Sequence, residues 1–301
     1  MATTSTDVSD VTERLEWLAP SERTFAGYLF WLSRPRFWLY LAGPVVVGVT
    51  YGASTTSDLF TPLSVALFLY FLLPANVFLY GINDRFDADI DEHNPKKSEG
   101  GREVRYSGGN RVTGIVLVCG ALGVAFVPVL PIESTVAMGA FLALGAAYSV
   151  PPLRFKTTPV LDSVSNGLYV TPALVAYGAV AGTAPPLLAV ASGWVWAMGM
   201  HTFSAIPDID PDREAGIDTT ATMLGERATL VYCGACWLVA AGTMALVDPR
   251  LGLVFLVYPL FAGVIGRLGV DIARAYWWFP VLNTFAGMAL TMGRLWVMLY
   301  A

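Results

Sequence analysis

The chain has 301 residues, of which 55% are hydrophobic and only 14% charged, with a mean hydropathy of +0.58. That balance excludes a soluble all-helical core, because so many apolar runs leave too little polar surface to dissolve it, and describes a protein embedded in lipid. A formal net charge of -5, with the basic residues dispersed along the chain, excludes a nucleic-acid binder.

Residues 1–27 are polar and acidic and lack the apolar stretch of a cleavable signal peptide. They read as a cytoplasmic tail with one short amphipathic helix near 11–18. Residues 28–301 form a single membrane domain in which apolar runs recur at 37–52, 60–82, 112–129, 136–150, 160–181, 186–207, 228–247, 251–266 and 278–300. The expectation is an all-α polytopic membrane protein of about nine transmembrane helices. The first and fourth runs are short for a hydrocarbon core of about 30 Å, so the first is expected to extend back through residues 28–36.

Basic residues give the orientation independently, because Lys and Arg are retained in cytoplasmic loops. Arg14, Arg23, Arg34 and Arg36 precede the first run, and Arg85, Lys96, Lys97, Arg102, Arg105 and Arg111 separate the second from the third. Arg154 and Lys156 follow the fourth, Arg213 and Arg227 the sixth, and Arg267 and Arg274 the eighth; only Arg250 and Arg294 fall toward the other side. The amino terminus is therefore expected in the cytoplasm and the carboxyl terminus outside, in a multi-pass protein of the cell membrane.

Two acidic clusters carry the chemistry. The first follows the second run and contains Asn83, Asp84, Asp87, Asp89 and Asp91; the second follows the sixth and contains Asp208, Asp210 and Asp212. At 100° per residue, Asn83, Asp84, Asp87 and Asp91 share one helix face while Asp89 points away, and Asn76 and Tyr80 continue that stripe toward the membrane. Asp208 and Asp212 are one turn apart and share a face, provided that Pro211 leaves the turn compact.

Carboxylates at the edge of lipid are costly to hold without cations, and hard oxygen donors select Mg²⁺, which takes one or two carboxylates and completes its shell with water and phosphate. Two such clusters imply a metal-bound anionic substrate, most simply a diphosphate. They lie four helices apart on one membrane side, which would place them across one cavity. The loop Tyr148, Ser149, Val150, Pro151, Pro152, Leu153, Arg154, Phe155, Lys156 offers hydrogen-bond donors and two cations for phosphate oxygens, as does Arg34. Each cation also fits an ordinary positive-inside anchor.

His201, two turns before Asp208, is read either as a substrate-pocket residue or as a neutral histidine bonded to a neighbouring helix. His93 reads as a solvated loop residue. Cys119, Cys233 and Cys236 lie in apolar runs and read as small packing residues, the CxxC notwithstanding. Aromatic residues, at 13%, suit a lipid belt as well as a reaction pocket, and none is singled out.

The NDxxDxxxD pattern at Asn83, Asp84, Asp87 and Asp91, paired with DxxxD at Asp208 and Asp212 and with the YSxPPLRxK loop of Tyr148 to Lys156, resembles the UbiA superfamily of intramembrane prenyltransferases. The resemblance implies a nine-helix α-barrel open sideways to lipid, with cytoplasmic caps near 83–111 and 208–227. It further implies Mg²⁺ and diphosphate bound by Asn83, Asp84, Asp87, Asp91, Asp208 and Asp212, with Asp84, Asp87, Asp208 and Asp212 catalytic. Arg34, Tyr148, Ser149, Arg154 and Lys156 would bind the diphosphate, and Asn76, Tyr80, Asn166 and His201 would line the substrate pocket.

Within the superfamily, the strings SRPRFWLYLAGP, NPKK, LRFKTTPVLDSVSNGLY and HTFSAIPDIDPDREAGI are similar to the carotenoid branch. That likeness implies transfer of a dimethylallyl group from its diphosphate to the ends of lycopene arriving from the bilayer. Water capture would follow, in the making of fifty-carbon carotenoids of the bacterioruberin type. Quinone precursors and archaeal ether lipids remain alternative acceptors for the same chemistry. A membrane transporter is the alternative from another class, disfavoured because the acids sit at helix ends rather than at the midplane. The sequence names no protein partner.

Overall fold

The computed structural model describes residues 20–21, 24–87 and 109–300. The expected helix at 11–18, Asp89, Asp91, His93, Lys96, Lys97 and most of the first cap segment lie outside the described residues. All regular structure among the described residues is helical.

The chain opens with α1 (Phe25–Leu32) and α2 (Trp38–Gly52). Here the expected backward extension of the first run fails: Arg34 adopts a left-handed conformation with φ 51°, Pro35 opens a 3₁₀ turn, and α2 restarts at Trp38. Proline without an N–H and a residue outside the right-handed region end a helix together.

The second run breaks at Leu73 into α3 (Pro62–Leu72) and α4 (Pro74–Asp87). Then come α5 (Asn110–Val124) and α6 (Ile132–Ser149), the latter lengthened at its start as the short fourth run required. The fifth run is composite: α7 (Leu161–Val164), a 3₁₀ stretch Ser165–Val170 and α8 (Thr171–Ala181). Irregular backbone at membrane depth is tolerated where it is buried or lines a cavity, and residues 165–169 are all buried.

After α9 (Leu187–Ser204), two short helices, α10 (Ile209–Glu214) and α11 (Thr220–Leu224), occupy the expected second cap. The chain ends with α12 (Glu226–Val247), α13 (Pro249–Phe255), α14 (Val257–Leu268) and α15 (Ile272–Tyr300). Helix covers each of the nine apolar runs. Among the described residues, six helical stretches are long and apolar enough to cross a membrane: Pro62–Asp87, Asn110–Val129, Ile132–Ser149, Leu161–Ala181, Glu226–Val247 and Pro249–Leu268.

The helices close on themselves. α2 packs on α8 in the middle of the chain and on α15 at its end, while α9 packs on α12. The α2 to α8 contact depends on Gly48 and Gly52, where an added Cβ would strike the carbonyls of Ala173 and Tyr177; small residues four apart let membrane helices approach this closely. Phe203, Trp237 and Phe279 are fully buried and stack with Tyr258 and Phe261 where α9, α12, α14 and α15 meet. Leu117, Leu246, Leu253, Leu260 and Trp296 face outward and exposed, the surface expected of a chain whose solvent is lipid.

Cys119, Cys233 and Cys236 are buried and free of disulfides, in keeping with a packing role.

Candidate functional site

The first acidic cluster is built on α4, whose last turn carries Asn83, Asp84 and Asp87. Asp84 is buried and turned onto Arg34, whose Nη2 donates to its Oδ1 at 2.9 Å. The same guanidinium lies over the Tyr80 ring, 4.6 Å from its centre. The left-handed turn at Arg34 thus brings a cation from the first loop onto α4. Strain of this kind costs about 1–3 kcal/mol and persists where surrounding contacts fix it.

A second left-handed residue, Arg154 with φ 35°, does the same for the loop after α6. Arg154 Nη2 donates to Asp87 Oδ1 and to the Phe86 carbonyl, each at 3.2 Å. Lys156 Nζ pairs with Asp87 Oδ1 and reaches Asn83 Oδ1 at 3.2 Å, and Ser149 Oγ donates to the same amide oxygen at 3.1 Å. The Asp84 and Asp87 carboxylates, which would otherwise repel, and the Asn83 amide are therefore held by three cations and a hydroxyl, all close to the end of one helix.

The second cluster is positioned by a 3₁₀ turn, Ile206–Asp208, running into α10. Pro211 sits in the first turn of α10, where its missing N–H is not needed, so the turn stays compact. Asp208 and Asp212 are half-buried and face inward, whereas Asp210 is exposed. Arg213 fastens α10 to α11 through Nη2 to the Thr222 carbonyl, 2.7 Å.

Both clusters open onto one cavity of about 290 Å³, to which Arg34, Asn83, Asp87, Lys156, Asp208 and Asp212 all contribute. Tyr80, Tyr148, Asn166 and His201 line it as well. Asp84, Ser149 and Arg154 stand behind this wall and hold the residues that form it. Asn76 is not brought to the cavity: it is fully buried, and its Nδ2 donates to the carbonyls of Phe71 and Leu72 at 2.9 and 3.0 Å. Those carbonyls lie at the Leu73 break, so the amide nitrogen is spent on repairing the backbone, while the buried Oδ1 has no hydrogen-bond partner among the described residues.

Sequence reasoning missed Asp162, which lines the cavity although it is 2% exposed. It accepts from the Thr220 backbone N–H at 2.9 Å and from the Thr220 hydroxyl, which in turn accepts from Val160 N–H at 2.7 Å. A β-branched Val160 at φ 72° is the strained hinge of this tie. An acid inside an otherwise apolar run was the available signal. Also missed were Phe37, Tyr40, Tyr169 and Tyr276, which give the cavity its aromatic wall.

The two acidic clusters offer the cavity oxygen donors, the carboxylates of Asp87, Asp208 and Asp212 and the Asn83 amide. Among the described residues no three metal-binding side chains converge on a point. One or two carboxylates on each side of a cavity that also holds cations is a fit for Mg²⁺, which draws the rest of its octahedron from water and phosphate.

The UbiA prenyltransferase family model matches residues 41–281. The lycopene elongase/hydratase of Haloarcula japonica is 60% identical over 96% of this chain and 98% of its own. That of Halobacterium salinarum is 63% identical over 89% and 97%. A UbiA homologue from Archaeoglobus fulgidus, solved with GPP and Mg²⁺, superposes with a TM-score of 0.72 at 20% identity, over 89% of this chain and 99% of that one; its DMAPP and Mg²⁺ form gives 0.70 at 22% identity, over the same shares. With its apolar helices, paired acidic clusters and matching family model, the chain belongs to the UbiA prenyltransferase family, and is an enzyme of that kind.

Proposed function

We propose that this enzyme transfers a dimethylallyl group from its diphosphate to the ends of lycopene, with water capture, in the formation of fifty-carbon carotenoids of the bacterioruberin type. The observation that carries the reading is the convergence of two acidic clusters, Lys156 and Arg34 on one cavity with an aromatic wall. The 60% identity to a lycopene elongase/hydratase along almost the whole of both chains supports the acceptor.

Asn83 and Asp87 on one side, and Asp208 and Asp212 on the other, line the cavity and are the residues that would hold Mg²⁺; Asp84, expected in the same set, stands behind them on Arg34, and Asp91 lies outside the described residues. Bound there, the metal supplies charge neutralisation for the diphosphate. Lys156 and Arg34 take phosphate oxygens and stabilise the negative charge that grows as the allylic carbon to oxygen bond breaks. Arg154 and Ser149 fix Asp87 and Asn83 in place.

The π faces of Phe37, Tyr40, Tyr80, Tyr169 and Tyr276, which line the cavity, would stabilise the allylic cation. The terminal double bond of the acceptor attacks that cation, a carbon to carbon bond forms, and a tertiary cation remains. Water adds to it and one proton leaves. The acceptor reaches the cavity sideways from the bilayer, and the basic residues set the amino terminus and the cavity mouth in the cytoplasm, with the carboxyl terminus outside, in the cell membrane.

The test is incubation of the purified protein in lipid with Mg²⁺, dimethylallyl diphosphate and lycopene, followed by mass spectrometry. Products heavier by one or two five-carbon units, each with one added water, are expected. Unchanged lycopene, with diphosphate released only when a quinone precursor or ether lipid is supplied, would replace the acceptor while keeping the chemistry.

A further inference from the structure

One polar pair on the cavity wall is bonded to neither the acidic clusters nor the cations in the hydrogen bond it makes. Tyr148, in the last turn of α6, and His201, in the last turn of α9, meet with 2.8 Å between the phenol oxygen and Nε2, their rings edge to face at 5.5 Å. Both line the cavity, beside Leu79, Leu168 and Met200. Ion pairing accounts for neither residue, and the diphosphate chemistry already has its cations in Arg34 and Lys156. A hydroxyl backed by an imidazole on a cavity wall is suited to hold one water and to accept a proton from it.

We propose that Tyr148 and His201 bind the water that captures the tertiary cation and carry away its proton, and so decide between a hydroxylated product and an alkene. This rests on the prenyl transfer reading above. The water oxygen donates a lone pair to the cationic carbon, forming one carbon to oxygen bond. As the resulting oxonium loses a proton to the Tyr148 oxygen, the phenol proton passes to His201 Nε2, and the imidazolium later releases it to the departing diphosphate or to solvent. One O–H bond of water breaks, nothing is oxidised, and the phenol is regenerated. Where the pair is absent, a carbon next to the cation loses its proton instead and a double bond forms.

The experiment measures, for wild type, Tyr148→Phe and His201→Gln in lipid with Mg²⁺, dimethylallyl diphosphate and lycopene in ¹⁸O-labelled water, the ratio of labelled hydroxylated product to alkene product. Tyr148→Phe keeps the ring and removes only the hydroxyl. His201→Gln keeps an acceptor for Tyr148 but takes no proton. Whatever turnover remains in either variant, the ratio is expected to fall about tenfold or more. A wild-type ratio preserved in both variants, with total product merely reduced, would mean that the pair is structural and would overturn the assignment. Wild-type protein that leaves lycopene unchanged would overturn the assignment together with the acceptor reading, and the two failures are told apart by the wild-type control alone.

Discussion

The buried pair of Asp84 and Arg34 shows how closely stability and chemistry are joined at single residues. Asp84 is 2% exposed and its Arg34 partner 17%, so neither charge is screened well, and removing one takes a close opposite charge from the other. Arg34→Ala should therefore lower unfolding stability in detergent by about 3 kcal/mol. Arg34→Ala combined with Asp84→Asn should recover part of that loss, because the buried negative charge is then removed along with its Arg34 partner; a double variant less stable than the single would show that the pair is not the source. Asn76 provides the contrast. Its amide caps the carbonyls at the α3 to α4 break, so Asn76→Ala should cost about 1–3 kcal/mol of stability and leave KM for the diphosphate substrate unchanged. A rise in KM at wild-type stability would return Asn76 to the substrate pocket. The polar stripe that placed Asn76 and Tyr80 together in the sequence was real, but periodicity along one helix does not know that the helix restarts at Pro74.

At the scale of elements, the apolar runs and the spacing of the acids were legible because both are local: each run became helix, and Asp208 and Asp212 kept their one-turn separation through Pro211. What was not legible were the places where the backbone leaves the helix to serve a distant contact. The left-handed Arg34, Arg154 and Val160 carry no glycine signal, and each is held by a partner from elsewhere in the chain: Asp84, Asp87 and Thr220. The tie of Val160 and Asp162 to Thr220 is the clearest case, since it couples the composite fifth run to α11, and α11 holds α10 through Arg213 and Thr222. Thr220→Val removes the hydroxyl that bridges Val160 and Asp162, and should cost about 1–3 kcal/mol. It should also raise KM for the diphosphate, because α10 carries Asp208 and Asp212. Thr220→Ser keeps the hydroxyl and should behave as wild type. Equal losses in the two variants would point to the threonine methyl and against the tie.

Across the whole molecule, the two acidic clusters come from different halves of the chain, with Asp87 on α4 and Asp208 at the start of α10, and fold closure alone gives them a common cavity. If both clusters act on one diphosphate, neither half retains much value without the other, since a substrate anchored on one side is not placed for ionisation. Groups that work as a unit give strongly non-additive losses. Asp87→Asn and Asp208→Asn should each lower kcat/KM by about two orders of magnitude or more, by analogy with the loss of a group that stabilises developing charge. The double variant should then be about as impaired as the worse single one. Diphosphate release measured at saturating Mg²⁺, beside a melting curve for each variant, separates this from unfolding. Losses that multiply in the double variant would mean that the two clusters contribute independently, and would assign them to two separate tasks rather than to one substrate held between them.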